Sequence, residues 1–344
     1  MKEKKHVADG GRLVAPSANA PVFAYQKSRL YWADCLDCFA EWPSESIHSV
    51  VTDPPYGLVE YTPLEQAKLH NGRGGIWRIP PSIGGSKRAP LPRFTVLGHE
   101  DKKRLVEFFG DWAARMLHIL VPGAHVFVAS NSLLNFYVAQ AMVEAGYERR
   151  GEVVRLVRTL KGGDRPKLAD KEFPDVSVIP RSAWEAWGLY RKPFEGRTSE
   201  NLRRYGTGAL RRPSREAPFV DVIKSTRTPR RERAIANHPS LKPQSFLREL
   251  VFASLPLGEG VVLDPFAGSG STLAAASAIG YESVGIEIDR RYVETAIRAV
   301  PQLSALKVTL DRPFNNGEHE PRPELLELLP LEGPGKQGAA NKQR

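Results

Sequence analysis

A short acidic and aromatic segment follows a run of β-branched residues in the first part of the chain. Ser49-Val50-Val51-Thr52 predicts a strand, and Asp53-Pro54-Pro55-Tyr56 comes directly after it. Two successive prolines cannot extend a strand ladder, so they hold the backbone stiff at this corner. A carboxylate, a carbonyl oxygen and an aromatic face are therefore kept together at the carboxyl end of a strand, where open α/β sheets bind ligands. The corner is either a rigid loop or one part of a reaction site.

A second segment suited to chemistry lies far along the chain. Val261–Glu287 predicts a strand, a glycine-rich turn, a helix and a second strand that ends in an acid. Glycines let a ligand approach the backbone of the turn, and the helix that follows offers free N–H groups. Glu287 follows Gly268 by 19 residues, a position from which an acid can bind two ribose hydroxyls. The turn lacks the lysine of a triphosphate-binding loop and the full dinucleotide fingerprint, so we expect a nucleoside cofactor without a large phosphate group.

The positive charge of the chain is concentrated in one central segment. The formal net charge is +10, and residues 150–233 contain 21 Lys and Arg against 11 Asp and Glu, whereas the remainder contains 28 of each. Aromatic residues alternate with these arginines, which suits phosphate contacts and base stacking. The segment predicts a nucleic-acid surface, and the alternative is a small subdomain with a basic exterior. The candidate DNA contacts are Arg191, Lys192, Arg203, Arg204, Arg211 and Arg212.

Composition indicates in which cellular compartment the protein works and whether it can bind a metal through cysteines. The sequence has no run of about eighteen apolar residues, and its charged N-terminus lacks the apolar core of a secretory signal. Cys35 and Cys38 are the only cysteines, so no disulfide framework and no second cysteine pair for zinc can form. We expect a cytoplasmic protein without a membrane span and without a metal.

Alternating helical and strand patterns place both segments on one type of fold. Apolar residues at helical spacing predict a helix over 100–120, ended by Pro122-Gly123, and a strand over 124–129. A helix over 133–145 and a strand over 152–157 continue the alternation. Such a pattern is typical of an open α/β sheet with crossover helices.

Composition also divides the chain into predicted segments. They are a disordered N-terminus (1–20), the catalytic half of the main domain (21–158) with a mobile flap rich in glycine and proline (57–100), a target-recognition region (159–236), a cofactor-binding half (237–311) and a disordered tail (312–344). The flap directly follows Asp53-Pro54-Pro55-Tyr56, so we expect it to cover a site.

Three motifs together resemble a known family. Asp53-Pro54-Pro55-Tyr56 resembles the catalytic motif of exocyclic-amino DNA methyltransferases, which act on adenine N6 or cytosine N4. Asp264-Pro265-Phe266-Ala267-Gly268-Ser269-Gly270 resembles their S-adenosylmethionine motif, and His238-Pro239-Ser240-Leu241-Lys242-Pro243 resembles the motif that precedes it. Their order is similar to that of the β class. The resemblance covers about residues 28–300. It implies a Rossmann-like class I methyltransferase sheet with helices on both faces, circularly permuted, with an inserted basic target-recognition region.

The resemblance also implies roles for individual residues. The catalytic residues would be Asp53, Pro54, Pro55 and Tyr56. The cofactor-binding residues would be Asp34, Cys35, Asp53, Lys242, Asp264, Phe266, Gly268, Ser269, Gly270, Thr272 and Glu287. Ala33 stands where the family usually has glycine in the Ala33-Asp34-Cys35-Leu36 stretch, a small departure near the expected adenine contact.

The implied reaction transfers a methyl group from S-adenosylmethionine to the N6 of a flipped adenine in double-stranded DNA. Asp53 and the Pro54 carbonyl would bind the amino group and aim its lone pair at the methyl group. The alternatives are a cytosine-N4 enzyme, which more often carries serine at the first motif position, an RNA substrate, and a catalytically silent DNA-binding protein. A homodimer and a companion restriction endonuclease are left open.

Overall fold

The structure is a computed structural model that describes residues 20–55, 82–83, 86–87, 98–157, 165–166, 168–236, 238 and 240–308. Tyr56, Pro239, most of the predicted flap and the predicted tail lie outside the described residues, as does the predicted N-terminal segment apart from residue 20. Within the described part of the chain, no helix is long and apolar enough to cross a membrane.

A mixed sheet of nine strands organises the described residues. The strands in chain order are β1 (Phe23–Tyr25), β2 (Ser28–Trp32), β3 (Ile47–Thr52), β4 (Ser82–Ile83), β5 (Ser86–Lys87), β6 (Leu120–Ser130), β7 (Glu148–Leu156), β8 (Trp184–Arg191), β9 (Val222–Lys224), β10 (Val261–Asp264) and β11 (Glu282–Glu287). The sheet order is β1-β2-β11-β10-β3-β6-β8-β7-β9, and β4 and β5 form a separate antiparallel pair.

The centre of the sheet is parallel. β2, β11, β10, β3 and β6 all run in the same direction, so their carboxyl ends share one edge. It is here called the catalytic edge, after the predicted catalytic motif that follows β3. β8 pairs antiparallel with both β6 and β7, and β9 runs parallel to β7. The start of β8 and the ends of β7 and β9 therefore also lie at the catalytic edge.

Helices follow or precede these strands. They are α1 (Cys35–Glu41), α2 (His99–Ile119), α3 (Asn135–Glu144), α4 (Thr198–Tyr205), α5 (Arg230–Ile235), α6 (Gln244–Ser254), α7 (Ser271–Ile279) and α8 (Arg290–Ser304). Asp34 and Asp289 cap α1 and α8 by accepting a backbone N–H in the first turn. The sequence-predicted helices over 100–120 and 133–145 are confirmed as α2 and α3.

The core lies on both faces of the sheet. Val50 packs in a cluster with α1, α2 and α3, whereas its neighbour Val51 packs in a second cluster with Phe246 and Leu250 of α6. Successive side chains of a strand point to opposite faces, so β3 is covered on both sides, as parallel strands require. The predicted α/β fold with helices on both faces is confirmed, whereas its circular permutation stays a prediction.

Two local expectations differ from the structure. Pro122-Gly123, expected between a helix and a strand, lies inside β6, because the strand begins at Leu120 immediately after α2. Gly123 has a φ of 82°, and a Cβ there would lie 2.4 Å from Asn201. β8 belongs to the main sheet, although it comes from the predicted target-recognition region.

Candidate functional site

The predicted site residues converge because neighbouring parallel strands end at the catalytic edge. β2 leads to Asp34, β11 ends at Glu287, β10 ends at Asp264, and β3 leads to Asp53. These strands are adjacent in the order β2-β11-β10-β3. The two segments that the sequence singled out are thus next to each other, since β10 pairs with β3. A ligand at this edge can contact both.

The Asp53 carboxylate is held by two donors from one loop. The Ser240 hydroxyl and the Lys242 ammonium group each lie 2.6 Å from the same oxygen, Oδ2. Lys242 also donates to the Ser240 hydroxyl at 3.1 Å. Two donors on one carboxylate oxygen fix its rotation, so the acid of the predicted catalytic motif has a defined orientation.

Lys242 bridges Asp53 to a second acid. Its ammonium nitrogen lies 3.1 Å from Oε1 of Glu185, and Arg155 lies 2.7 Å from the other oxygen of Glu185. Burial lowers the pKa of Lys242, but the charges of Asp53 and Glu185 outweigh it and raise the pKa above its usual value. Lys242 is therefore a cation at neutral pH.

Asp264 connects the glycine turn to the catalytic corner. Its Oδ1 accepts hydrogen bonds from the Thr52 hydroxyl at 2.7 Å and from the Phe266 N–H at 3.2 Å. Burial raises the pKa of this carboxyl to about 6, although hydrogen bonds from Thr272, Thr52 and Phe266 oppose the shift. Thr52 directly precedes Asp53, so this one acid sets the distance between turn and corner.

The turn itself has the conformation of a ligand cradle. Gly268 and Gly270 have φ angles of 52° and 79°, and a Cβ at Gly270 would lie 2.4 Å from Val300 of α8. The backbone N–H groups of Gly268 and Asp289 each donate to a different oxygen of Glu287 at 2.7 Å. Burial raises the pKa of Glu287, against the effect of these two N–H groups. Each carboxylate oxygen keeps a second lone pair that can accept from a ribose hydroxyl.

Asp34 lies beside this acid. The N–H of Ala33 donates to the carbonyl oxygen of Glu287 at 3.1 Å, which joins the two strand ends. The Asp34 side chain caps α1 through the Leu36 N–H at 2.9 Å. Burial raises the pKa of Cys35 to about 12, so its thiol is neutral and serves packing.

A cleft opens between the corner and the turn. It holds about 340 Å³ of empty space, part of it open to solvent. Its lining includes the predicted residues Asp53, Lys242, Asp264, Phe266, Gly268, Ser269 and Thr272. Phe266 packs on Trp112 of α2, which closes the base of the turn with apolar surface. A glycine cradle beside an acid fits the nucleoside end of S-adenosylmethionine. No cluster of three or more metal-ligating side chains occurs among the described residues.

Three of the predicted DNA contacts are engaged within the fold. Arg191 pairs with a carboxylate of β7 at 2.5 Å and also donates to a backbone carbonyl. Lys192 donates to the Leu120 carbonyl oxygen at 2.7 Å, and burial lowers its pKa. Arg211 donates to the Tyr281 hydroxyl at 2.5 Å. These side chains stabilise the sheet and its connections.

The other three, Arg203, Arg204 and Arg212, are exposed. Arg203 and Arg204 lie on α4, whose buried Asn201 donates to the Pro122 carbonyl oxygen at 3.0 Å. Pro122 lies near the start of β6, which is the edge opposite the catalytic edge. The length of β3 alone, with a rise of about 3.3 Å per residue, separates the two edges by roughly 17 Å. The structure does not bring α4 to Asp53.

Sequence reasoning missed four side chains of this site. His238 and Ser240 belong to the motif that contains Lys242, yet only Lys242 was assigned a contact. His238 lines the cleft, its Nδ1 accepts the Ser240 N–H, and burial lowers its pKa. Arg155 and Glu185 belong to no motif, and each lies on a strand beside buried residues, Val153 or Ala186, so only the pairing of β7 with β8 reveals their contact.

Comparisons with known proteins identify the family of this chain. The family model of N6/N4 DNA methylases matches residues 47–298. The chain is 23% identical over 278 residues to the type II methyltransferase M2.DpnII of Streptococcus pneumoniae, which covers 80% of this chain and 90% of that protein. A shorter stretch of 97 residues is 36% identical to the DNA adenine methyltransferase YhdJ of Escherichia coli strain K12, covering 27% of this chain and 33% of YhdJ.

Among solved structures, the cytosine-N4-specific PvuII DNA methyltransferase aligns with 85% of this chain and 91% of its own, with a TM-score of 0.53 and 14% identity. That likeness concerns the fold. Fold and site together define an α/β enzyme with a nucleoside cofactor. The chain belongs to the N6/N4 DNA methylase family and is an S-adenosylmethionine-dependent DNA methyltransferase. The family and the cofactor predicted from the sequence are thus confirmed.

Proposed function

We propose that this protein is a site-specific DNA methyltransferase that methylates the exocyclic N6 of an adenine flipped out of duplex DNA. The observation that carries the proposal is the position of Asp53. Its carboxylate is oriented by Ser240 and Lys242 in the same cleft as the glycine turn. A base amino group bound there lies beside the expected cofactor methyl group.

In this reaction the main task of the protein is to orient the amino group of the target base. The lone pair of an adenine amino group is delocalised into the ring, so the amino nitrogen is a weak nucleophile. Hydrogen bonds to the Asp53 carboxylate and the Pro54 carbonyl favour a tetrahedral nitrogen and aim its lone pair. The cofactor supplies an electrophilic methyl group on a sulfonium. As the new N–C bond forms and the C–S bond breaks, the nitrogen loses a proton, and water or Asp53 can take it.

The cofactor is proposed to lie along the three strand ends next to Asp53. Glu287 binds the ribose hydroxyls, Asp34 lies on the adenine side, and the Gly268–Gly270 turn approaches the methionine part. Phe266, Ser269 and Thr272 line this part of the cleft. Tyr56 completes the proposal as the aromatic face for the target base, a role assigned from its place in the motif.

Adenine is favoured by the acid at the first position of the catalytic motif. Asp53 offers an acceptor-only carboxylate, which suits an amino group that donates. The cytosine-N4 enzymes more often place serine there. The 36% identity over 97 residues with YhdJ, a protein named as an adenine methyltransferase, supports the same choice.

Duplex DNA is proposed to approach the catalytic edge on the side of β7, β8 and β9. Exposed basic side chains there include Lys224, the last residue of β9, and Arg181, which lies three residues before the start of β8. Lys224 ends β9 opposite Leu156, and Leu156 pairs with Trp184 at the start of β8. These side chains replace the α4 arginines as the proposed phosphate contacts, because they lie at the same edge as Asp53.

The test uses purified protein, unmethylated DNA and S-adenosylmethionine carrying a labelled methyl group. Digestion to nucleosides and mass spectrometry identify the product. We expect N6-methyladenine with the wild type and none with Asp53→Ala, which should still bind the cofactor in calorimetry. N4-methylcytosine, methylated RNA in a parallel reaction without DNA product, or undiminished transfer by Asp53→Ala would each overturn the proposal.

A further inference from the structure

We propose that Glu185, held by Arg155, is a positioning residue for methyl transfer. It fixes the ammonium group of Lys242, which in turn orients the Asp53 carboxylate. The inference rests on the proposed role of Asp53 and extends it to two side chains of β7 and β8 that do not touch a substrate.

The four side chains form a row of alternating charge. Arg155 lies 2.7 Å from Glu185, Glu185 lies 3.1 Å from Lys242, and Lys242 lies 2.6 Å from Asp53. Two cations and two anions cancel, so the row carries no net charge. Arg155 contacts one anion and Lys242 contacts two, and each of the three distances is short enough for a hydrogen bond or an ion pair.

Burial makes each member of the row depend on its neighbours. The side chains of Arg155, Glu185, Lys242 and Asp53 are 6%, 16%, 9% and 17% exposed. A buried charge that loses its partner is strongly destabilised or changes position. Lys242 has a long, flexible side chain, so an ion pair with one carboxylate leaves it freer to rotate than ion pairs with two.

The sheet explains why Glu185 reaches the site. Glu185 and Arg155 are register partners in the β7–β8 ladder, near the start of β8 and the end of β7. Arg155 is itself anchored beyond β9, where it donates to the Ser225 hydroxyl at 3.0 Å and to the Thr226 carbonyl oxygen at 2.8 Å. It also lies over the Phe246 ring, 5.3 Å from its centre. Glu185 is thus held, through Arg155, by the residues that follow β9.

The same ladder supplies a matched control. Glu148 and Arg191 are also register partners of β7 and β8, joined at 2.5 Å, but they lie toward the opposite end of the ladder from Glu185. Glu148→Gln and Glu185→Gln therefore remove equivalent charges from one hairpin. Of these two acids, only Glu185 contacts Lys242.

The pH profile separates positioning from a purely structural role. The groups that face Lys242 are Asp53 and Glu185, which raise its pKa, and Arg155, which lowers it, while the neighbouring His238 is kept neutral by burial. Without the charge of Glu185, burial is opposed by Asp53 alone, and Lys242 loses its proton at a lower pH. The alkaline fall of the methyl-transfer rate should then move to lower pH than in the wild type.

The experiment measures single-turnover methylation of a duplex by wild type, Glu185→Gln and Glu148→Gln over a pH series, with cofactor affinity and melting temperature of each. We expect Glu185→Gln to be slower by roughly ten- to a hundredfold at neutral pH. Its alkaline limb should be shifted and its cofactor dissociation constant changed by less than about threefold, since Glu185 does not line the cofactor turn. Glu148→Gln should keep the wild-type rate and profile.

In Glu185→Gln, Arg155 loses its charged partner, and the protein could fail to fold. A second variant controls for this. Glu185→Gln combined with Arg155→Gln removes both charges and leaves no orphaned cation. It should show the same slow rate, with a smaller downward shift of the alkaline limb, because the loss of Arg155 raises the pKa of Lys242. Equal rates and profiles for the Glu185 and Glu148 variants, or a slower Glu185 variant with an unmoved limb, would overturn the inference alone. A wild type without any methylation would overturn the proposed function and this inference with it.

Discussion

Asp264 joins the two chemical segments of the molecule through a single carboxylate oxygen. The Thr52 hydroxyl and the Phe266 N–H both donate to Oδ1, from the strand before the catalytic corner and from the glycine turn. The residue is 4% exposed. A buried acid in this position holds the two halves together, but its ionisation costs stability because water is excluded.

The cost of ionising Asp264 predicts that the free energy of unfolding depends on pH. Burial raises the pKa of Asp264 from its ordinary value to about 6, so the folded protein binds this proton more tightly than the unfolded chain does. Stability from this group is therefore lost as pH rises from about 4 to about 6. The free energy of unfolding of the wild type, minus that of Asp264→Asn, should fall by on the order of 2 to 3 kcal/mol over that range. Urea unfolding at several pH values measures it, and a pH-independent difference would contradict the assignment.

Glu287 makes a separate prediction at the same scale. Its two oxygens accept the N–H groups of Gly268 and Asp289 and are proposed to accept the ribose hydroxyls as well. Glu287→Ala should therefore raise the cofactor dissociation constant roughly ten- to a hundredfold, because buried donors lose their acceptor. Calorimetry with S-adenosylmethionine measures it. Glu282→Ala, which breaks the Arg29 ion pair at the start of the same strand, is the control. An unchanged constant in the Glu287 variant would reject the ribose assignment.

The strands that meet at the catalytic edge each contribute different residues to the proposed site. β2, β11 and β10 end at the proposed cofactor residues, β3 ends at Asp53, and β7, β8 and β9 bring the Arg155–Glu185 pair and exposed basic residues. The edge thus runs from cofactor to catalytic acid to the proposed DNA side. This order follows from strand pairing and is independent of the order of the elements in the chain.

The element scale gives a test of the DNA surface. Lys224 ends β9 at the catalytic edge, whereas Arg203 lies on α4, which is anchored near the start of β6; both side chains are exposed. Lys224→Ala should weaken DNA binding and lower the slope of log affinity against log salt by about one. Arg203→Ala should change neither. Fluorescence anisotropy over a salt series measures both quantities. A loss of DNA binding in Arg203→Ala but not in Lys224→Ala would show that DNA binds at α4 instead.

Local sequence signals were sufficient for much of the fold and part of the site. The β-branched run before Asp53 and the glycine turn after β10 predicted strand ends, and both are confirmed. The amphipathic pattern of α2 was equally clear, since Leu105, Trp112 and Met116 are buried at helical spacing. These signals are local because a strand, a turn or a helix face depends on neighbouring residues.

Contacts between residues far apart in the chain could not be predicted. Asp53 and Lys242 are 189 residues apart, and nothing between them indicates a contact of 2.6 Å. Arginines read as DNA contacts, such as Arg191, pair with strands whose positions no local pattern reveals. The Trp184–Arg191 segment has the aromatic and basic composition of a nucleic-acid surface, yet Trp187 and Tyr190 are buried within the main sheet. Composition reports residue types, whereas the sheet decides which side chains face water.

At the scale of the whole molecule, one proposal unites these features: the catalytic edge is proposed to methylate adenine N6 at a specific sequence in DNA. The most direct measurement expresses the full chain in a host without DNA methylation and maps modified bases across its genome. We expect N6-methyladenine at one short recurring sequence in cells with the wild type and at none in cells with Asp53→Ala. N4-methylcytosine, or a genome without modified bases despite soluble protein, would contradict the account.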